Sequence, residues 1–298
     1  MDIIGSKYIF LSFSGLLVAA SLAAIFLWGL SLGVDFTGGS LLEAEFIGER
    51  PSLQEISAML AETENLGNVA IQPEGEKAFI LRFPAVEETV HQNILTALGV
   101  REGKAREKLF VAIGPSIGRE LKQRSTAAIL LTLAAIILYI TFAFRRVSKP
   151  VSSWKYGVVA VAALIHDVAI PSGVFAALGR FGGVEIDALF VTALLTILGF
   201  SVHDTIVVFD RIRENLRKLK TAEPYEVTVN RSVNETFTRS LNTSLTVLMV
   251  LVAVMALGGE STRYFALALS LGVIFGTYSS IFVASPLLVL WHNWTRKK

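Results

Sequence analysis

The 298 residues are 53 % apolar and only 17 % charged, with a net charge of +2. Soluble domains average about 25 % charged residues, so this balance points to an integral membrane protein, and so small a net charge makes no case for nucleic acid. No cysteine is present, which excludes disulfides, thiolate metal sites and a cysteine nucleophile.

Tyr8 to Leu32 is an uncharged apolar run of 25 residues. About 20 span a hydrocarbon core, and a signal peptide's apolar core is only about 7–15, so a retained first transmembrane helix is expected over residues 1–32. From 33 to 125 charges are frequent and apolar runs short. Leu42, Ala44 and Phe46 alternate with Glu43 and Glu45, a half-buried strand. Ser52 with Glu55 reads as a capping box opening a helix that carries Ile56, Met59 and Leu60. Strands are expected at Val69–Gln72 and Ala78–Phe83, separated by a turn over Pro73–Lys77. A helix follows at Val86–Leu98 and a last strand at Leu109–Ile113. The order β-α-β-β-α-β predicts a small α+β, ferredoxin-like domain outside the membrane.

Residues 126–298 read as five further spans. Four are clear: Ala127–Phe144, Tyr156–Leu178, Ala188–Phe209 and Tyr264–Trp291. The remaining one, Arg239–Leu257, reaches spanning length only by including Arg239, Asn242, Thr243 and Ser244. The total is six transmembrane helices with one exported domain. Basic residues concentrate on one side: Arg145, Arg146, Lys149 and Lys155; then Arg211, Arg213, Arg217, Lys218 and Lys220; then Arg296, Lys297 and Lys298. The other side holds little beyond Arg180 and Arg263. The positive-inside rule therefore places both termini in the cytoplasm and 33–125 across the membrane. The linker at about 211–238, mixed in charge, is expected to form a pair of surface helices on the cytoplasmic face.

Ionisable residues inside spans are costly, roughly 2.5–3.5 kcal/mol on insertion scales, and read as functional by default. His166-Asp167 lies in the third span, His203-Asp204 in the fourth and Arg239 at the start of the fifth. At ~1.5 Å per residue, Asp167 lies about 16 Å in from Tyr156 and Asp204 about 9 Å in from Asp210. Arg239, Asn242, Thr243 and Thr246 fall on one helix face, which must meet protein or water. An acid on one helix and an arginine on the next suit a proton site, because moving the cation shifts the acid's ionisation. A static Asp204–Arg239 ion pair, and His166 as an interhelical hydrogen bonder, stand as the plainer alternatives. Asp210 with Arg211 and Arg213 reads as an interfacial cap, and Gly272 with Gly276 as a helix-packing GxxxG pair. No HExxH, GxSxG or phosphate-loop motif occurs, and neither aspartate has a GxGD context, so no enzyme, metal or cofactor is expected.

Gly33-Val-Asp35-Phe36-Thr37-Gly38-Gly39 resembles the GVDFTGG motif that follows the first span in the bacterial SecD/SecF family. Gly114-Pro115 with Gly118 and Glu120-Leu121 resembles the family's approach to the second span. His166-Asp167 resembles its third-span HD motif, and Leu195 to Asn215 its fourth-span signature in the SecF branch, as the compact exported domain also does. The resemblance covers the full length. It implies half of an RND-type transporter, an inner-membrane accessory of Sec preprotein translocation that uses the proton-motive force. Implied partners are SecD, the SecYEG channel, SecA, YajC, YidC and the unfolded preprotein. The family's transmembrane acid falls on Asp204 and its arginine on Arg239. One departure is His203, where the SecF branch commonly has Asn. It adds a group that titrates near neutral pH beside the acid. A small-molecule RND-like exporter half and a non-energised translocon scaffold are the alternative functions.

Overall fold

The computed structural model describes residues 1–61, 63, 66–143, 151–218 and 223–296. Arg145, Arg146, Lys149, Lys220, Lys297 and Lys298, which the orientation argument uses, lie outside the described residues. Contacts divide the chain into two units, one formed by 1–31 with 126–298 and the other by 32–125.

The smaller unit begins with a single helical turn, α2 (Val34–Thr37), after the first span α1 (Lys7–Trp28). Strands β1 (Gly39–Phe46), β2 (Ala70–Glu74), β3 (Ala78–Phe83) and β4 (Ala105–Ile113) then alternate with helices α3 (Leu53–Ala61) and α4 (Glu88–Ala97). They form one antiparallel sheet in the order β2-β3-β1-β4, the ferredoxin-like arrangement. The β1 alternation puts Leu42, Ala44 and Phe46 into the core with Ile56, Leu60, Phe79, Leu81 and Ile94. Met59, expected on the same helix face, is instead 38 % exposed. Pro73, expected in a turn, sits within β2, and the turn follows it. A proline is tolerated there because β2 is an edge strand with one side of its ladder open. The capping box is formed: Ser52 N–H donates to Glu55 Oε2 at 2.7 Å, and Glu55 N–H donates to Ser52 Oγ at 3.3 Å. That backbone donation holds the Glu55 carboxyl below the usual carboxylate range. The cap is therefore present above that range and lost as pH falls through it.

The glycine-rich motif explains itself sterically. Gly38 has φ +75°, and a Cβ there would lie 2.8 Å from the Cα of Pro115. A Cβ on Gly118 would lie 2.9 Å from the Gly38 nitrogen and 3.2 Å from the carbonyl of Phe36. The turn of α2 and the first turn of α5 (Pro115–Ala143) thus touch backbone to backbone, and only glycines permit it. Gly118→Ala is expected to cost about 1–3 kcal/mol as overpacking. Thermal unfolding of the full chain in detergent would read this, with Gly48→Ala, whose Cβ would meet nothing within 4 Å, expected to be neutral.

The larger unit contains the remaining helices: α6 (Ser153–Gly182), α7 (Ala188–Lys218), α8 (Tyr225–Leu257), α9 (Glu260–Ser279), a π-helical turn (Ser280–Ala284) and α10 (Ser285–Arg296). Among the described residues six helices are long and apolar enough to span a membrane: α1, α5, α6, α7, α8 and the continuous stretch Thr262–Arg296. Small residues let α6 sit at the centre. Gly157, Ala160, Ala163, Gly173 and Ala176 are all buried, and a Cβ on Gly173 would lie 2.5 Å from Ser21 Cα of α1. Segment 211–238, expected as separate surface helices, is largely the continuous ends of α7 and α8. No proline or glycine interrupts α7 after Asp210, and Pro224 stands where α8 begins. The two ends are joined by Arg211 to Glu235 at 2.5 Å, Asn215 to Glu235 at 2.8 Å and Asn215 to Ser232 at 3.0 Å. Asp210 pairs with Arg213 at 2.5 Å along α7.

Candidate functional site: two carboxylates in a shell of serines

Two local irregularities shape the centre of the helix bundle. Pro171 lies four residues after Asp167 within α6, so the Asp167 carbonyl has no amide to accept from at its usual i+4 position. Pro286 similarly lacks the N–H that would bond Phe282, and the chain before it widens into the π-helical turn. Ser285 Oγ donates to the Ser280 carbonyl at 3.2 Å across that turn. The junction of α9 with this turn presents two consecutive hydroxyls, Ser279 and Ser280, to different partners.

Each hydroxyl meets a different carboxylate. Asp167 is fully buried. Its Oδ2 accepts from Ser279 Oγ at 2.8 Å and from Ser201 Oγ of α7, while its Oδ1 faces His166 Nδ1 at 2.8 Å. Asp204 is 5 % exposed. It accepts from Ser240 Oγ of α8 at 2.9 Å and from Ser280 Oγ at 3.3 Å. Ser201 and Asp204 are one turn apart on α7, so this helix offers a hydroxyl to one acid and supplies the other. A second tie, between Ser244 and Thr277, joins α8 to α9. Gly276 allows the close approach: a Cβ there would lie 3.0 Å from Ser201 Cβ, and one on Gly272 would overlap the Ile197 side chain. The GxxxG pair therefore packs α9 on α7 and seats Ser201 against Asp167.

The expected Asp204–Arg239 pair is not formed. No ion pair within 4.0 Å involves either residue among the described residues, and Arg239 is exposed. The reason is helix phase. Arg239, Asn242, Thr243 and Thr246 do share a face, but it is the exposed one. The buried face is offset by one residue, through Ser240 and Ser244. The stripe's hydroxyls serve their own helix: Thr243 bonds the Arg239 carbonyl at 3.0 Å and Thr246 the Thr243 carbonyl at 2.7 Å. His203 is exposed beside Asp204. His166 is buried, but it bonds its neighbour Asp167 and not another helix, and its ring lies against Phe275 and Tyr278. Its Nε2 has no hydrogen-bond partner among the described residues. Asp35, Phe36 and Thr37 belong to the α2 turn, with Phe36 buried and Thr37 Oγ1 donating to the Gly33 carbonyl at 3.0 Å.

The arrangement suits an acid that changes its protonation state. A hydroxyl can donate or accept. A carboxylate held only by hydroxyls can therefore gain a proton, and one serine need only rotate to accept from it. A carboxylate locked to a guanidinium has no such freedom. The serines were the part hidden in the sequence. Ser201, Ser279 and Ser280 are polar residues within spans and Ser240 sits in a polar stretch, and each taken alone reads as a small packing residue.

Comparison with known proteins places this geometry. Residues 91–294 match the C-terminal region of the SecD/SecF protein export membrane proteins, and residues 24–46 match the SecD/SecF GG motif. The chain is 42 % identical to the protein translocase subunit SecF of Thermobaculum terrenum, over 98 % of this chain and 94 % of that one. It is 37 % identical to the protein translocase subunit SecDF of Thermus thermophilus, over 93 % of this chain and 37 % of that one. The crystal structure of SecDF from Thermus thermophilus, a translocon-associated membrane protein, superposes with a TM-score of 0.84 at 34 % identity. That match covers 98 % of this chain and 39 % of the SecDF chain.

Proposed function

The chain belongs to the SecD/SecF family of protein export membrane proteins, a multi-pass membrane family, and it matches SecF relatives along nearly its whole length. From that premise we propose that it is the SecF-type half of a proton-driven accessory of the Sec translocase, completed by a SecD-type half. The observation that carries the reading is Asp204, an acid within a membrane-spanning helix that accepts from hydroxyls of α8 and of the π-helical turn. Proton entry neutralises Asp204 and turns one of the Ser240 and Ser280 hydroxyls from donor to acceptor, while the other still donates to the remaining carboxyl oxygen. Helix α7 then shifts against α8 and the π-helical turn. Domain 33–125 moves in response and draws preprotein away from the SecYEG channel after SecA has fed it in. Arg239, exposed one residue from Ser240, supplies the positive charge that returns Asp204 to its ionised form. His203 and the His166–Asp167 pair flank this step.

Orientation follows the basic residues. Lys155, Arg211, Arg213, Arg217, Lys218 and Arg296 lie on one side against Arg180 and Arg263 on the other. Both termini then face the cytoplasm of a bacterial inner membrane, and domain 33–125 lies across it. YajC and YidC are the further members of the assembly. The reading requires a partner half. Gentle solubilisation of native membranes and affinity capture of this chain is expected to bring down a SecD-type protein in constant ratio. Capture of the chain without any SecD-type protein would sink the reading.

A further inference from the structure

A second feature, away from the two carboxylates, is built like a lipid site. Helices α6 and α10 leave a groove of about 320 Å³ between them. Val158, Val159 and Ala162 form one wall, and Leu287, Leu290 and Trp291 the other, with Trp294 at the edge. From Lys155 to Ala162 it runs about 10 Å along α6 at ~1.5 Å per residue, all of it apolar. One end is different. Lys155 Nζ lies 5.7 Å above the Trp291 ring and donates to Thr295 Oγ1 at 3.3 Å. Arg296 follows on the same turn of α10. Trp154 meets Trp291 edge to face at 5.1 Å. Neither Lys155 nor Arg296 has a carboxylate within 4.0 Å among the described residues. Glu226, the acid that reaches this end, is already bonded to Lys7 at 3.3 Å and Asn293 at 2.5 Å.

We infer that the groove between α6 and α10 binds an anionic phospholipid, with an acyl chain along its apolar walls and the phosphate between Lys155 and Arg296. Three tryptophans mark this end as the membrane interface, the level at which a phosphate sits. Two cations without acids select the charge of the headgroup. The groove selects a lipid over a free anion, because a phosphate alone has no use for its walls. Occupied, the site bridges α6, which carries Asp167, to the helix that follows the serine-bearing π-helical turn.

The test uses the full chain in nanodiscs of phosphatidylcholine, with Trp28→Phe so that tryptophan emission comes from this end alone. A minor fraction of lipid is replaced by brominated-acyl phosphatidylglycerol or by brominated-acyl phosphatidylcholine, and quenching is compared. The anionic lipid is expected to quench more strongly, by up to about fivefold for each cation engaged. Lys155→Gln with Arg296→Gln should bring it down to the level of the zwitterionic lipid. Ala162→Phe, which fills the groove and leaves both cations, should do the same. Added inorganic phosphate should have no effect. Equal quenching by the two lipids in the parent chain overturns the inference. So does a preference that survives either substitution, or one that free phosphate removes.

Discussion

Asp204→Asn is expected to leave a protein that inserts, folds and captures its SecD-type partner but has lost gradient-driven export. The substitution preserves shape. The amide oxygen still accepts from one serine hydroxyl, and the amide nitrogen donates to the other once that hydroxyl turns. Both Ser240 and Ser280 therefore remain satisfied, and α7 is held in the arrangement of the neutral acid whatever the gradient. What disappears is the proton. One charge moved through 100 mV is worth about 2.3 kcal/mol, roughly a fifty-fold bias on a two-state element. Without an ionisable group at this position, the gradient has nothing at Asp204 to act on. The measurement is preprotein translocation into inverted vesicles that contain SecA, SecYEG, the SecD-type protein and this chain. ATP-driven transport should persist, while the increment on adding a proton gradient should fall to background. If the increment survives Asp204→Asn, the chain is a scaffold and the acid a structural element.

The sequence made the fold legible because its signals were long. Spans of about 20 apolar residues admit few readings. The period-two run from Leu42 to Phe46 and the Ser52–Glu55 box each have one local solution. The alternating order of strands and helices was enough to indicate the sheet that the chain forms. Element ends were less legible. Spacing alone puts Met59 on the face of Ile56 and Leu60, and the apolar run ends at Phe209 although α7 continues to Lys218. The site was half legible. Both aspartates announced themselves through their cost in a membrane. Their partners do not, because a charged residue in a span points to the wrong face of α8 as the buried one. A long arginine is under no such constraint, and a rotation of one residue brings Ser240 to Asp204 in its place. The π-helical turn could be anticipated only from Pro286, and a proline alone does not say which way Ser279 and Ser280 face.

The two acids are expected to respond in opposite ways to the same pair of substitutions, and Asp167 gives the second large effect. Asp167→Ala removes the acceptor shared by His166, Ser201 and Ser279, which come from α6, α7 and α9. Each buried polar group left without a partner costs about 1–3 kcal/mol. Ser279 has a fallback in the Gly276 carbonyl at 3.1 Å, and Ser201, inside α7, can turn to a carbonyl of its own helix, so the penalty falls mainly on His166. His166 is already without a partner at Nε2 among the described residues and would then lack one at both ring nitrogens. The loss is about 1–3 kcal/mol, a sizeable part of the stability of a typical protein. Asp167→Ala should therefore lower the thermal midpoint in detergent sharply and reduce the amount of chain that accumulates in membranes. Asp204→Ala should do so far less, because its two serines sit on helices whose carbonyls can accept their hydroxyls: Ser280 already bonds the Thr277 carbonyl at 3.0 Å. Asp167→Asn keeps an acceptor for the shared hydroxyls and should retain most of the stability and much of the gradient-driven export. Those outcomes together would assign Asp167 to holding three helices in register and Asp204 to carrying the proton. A stable Asp167→Asn protein with no gradient-driven export would instead make Asp167 a second proton site, linked to Asp204 through the adjacent hydroxyls of Ser279 and Ser280.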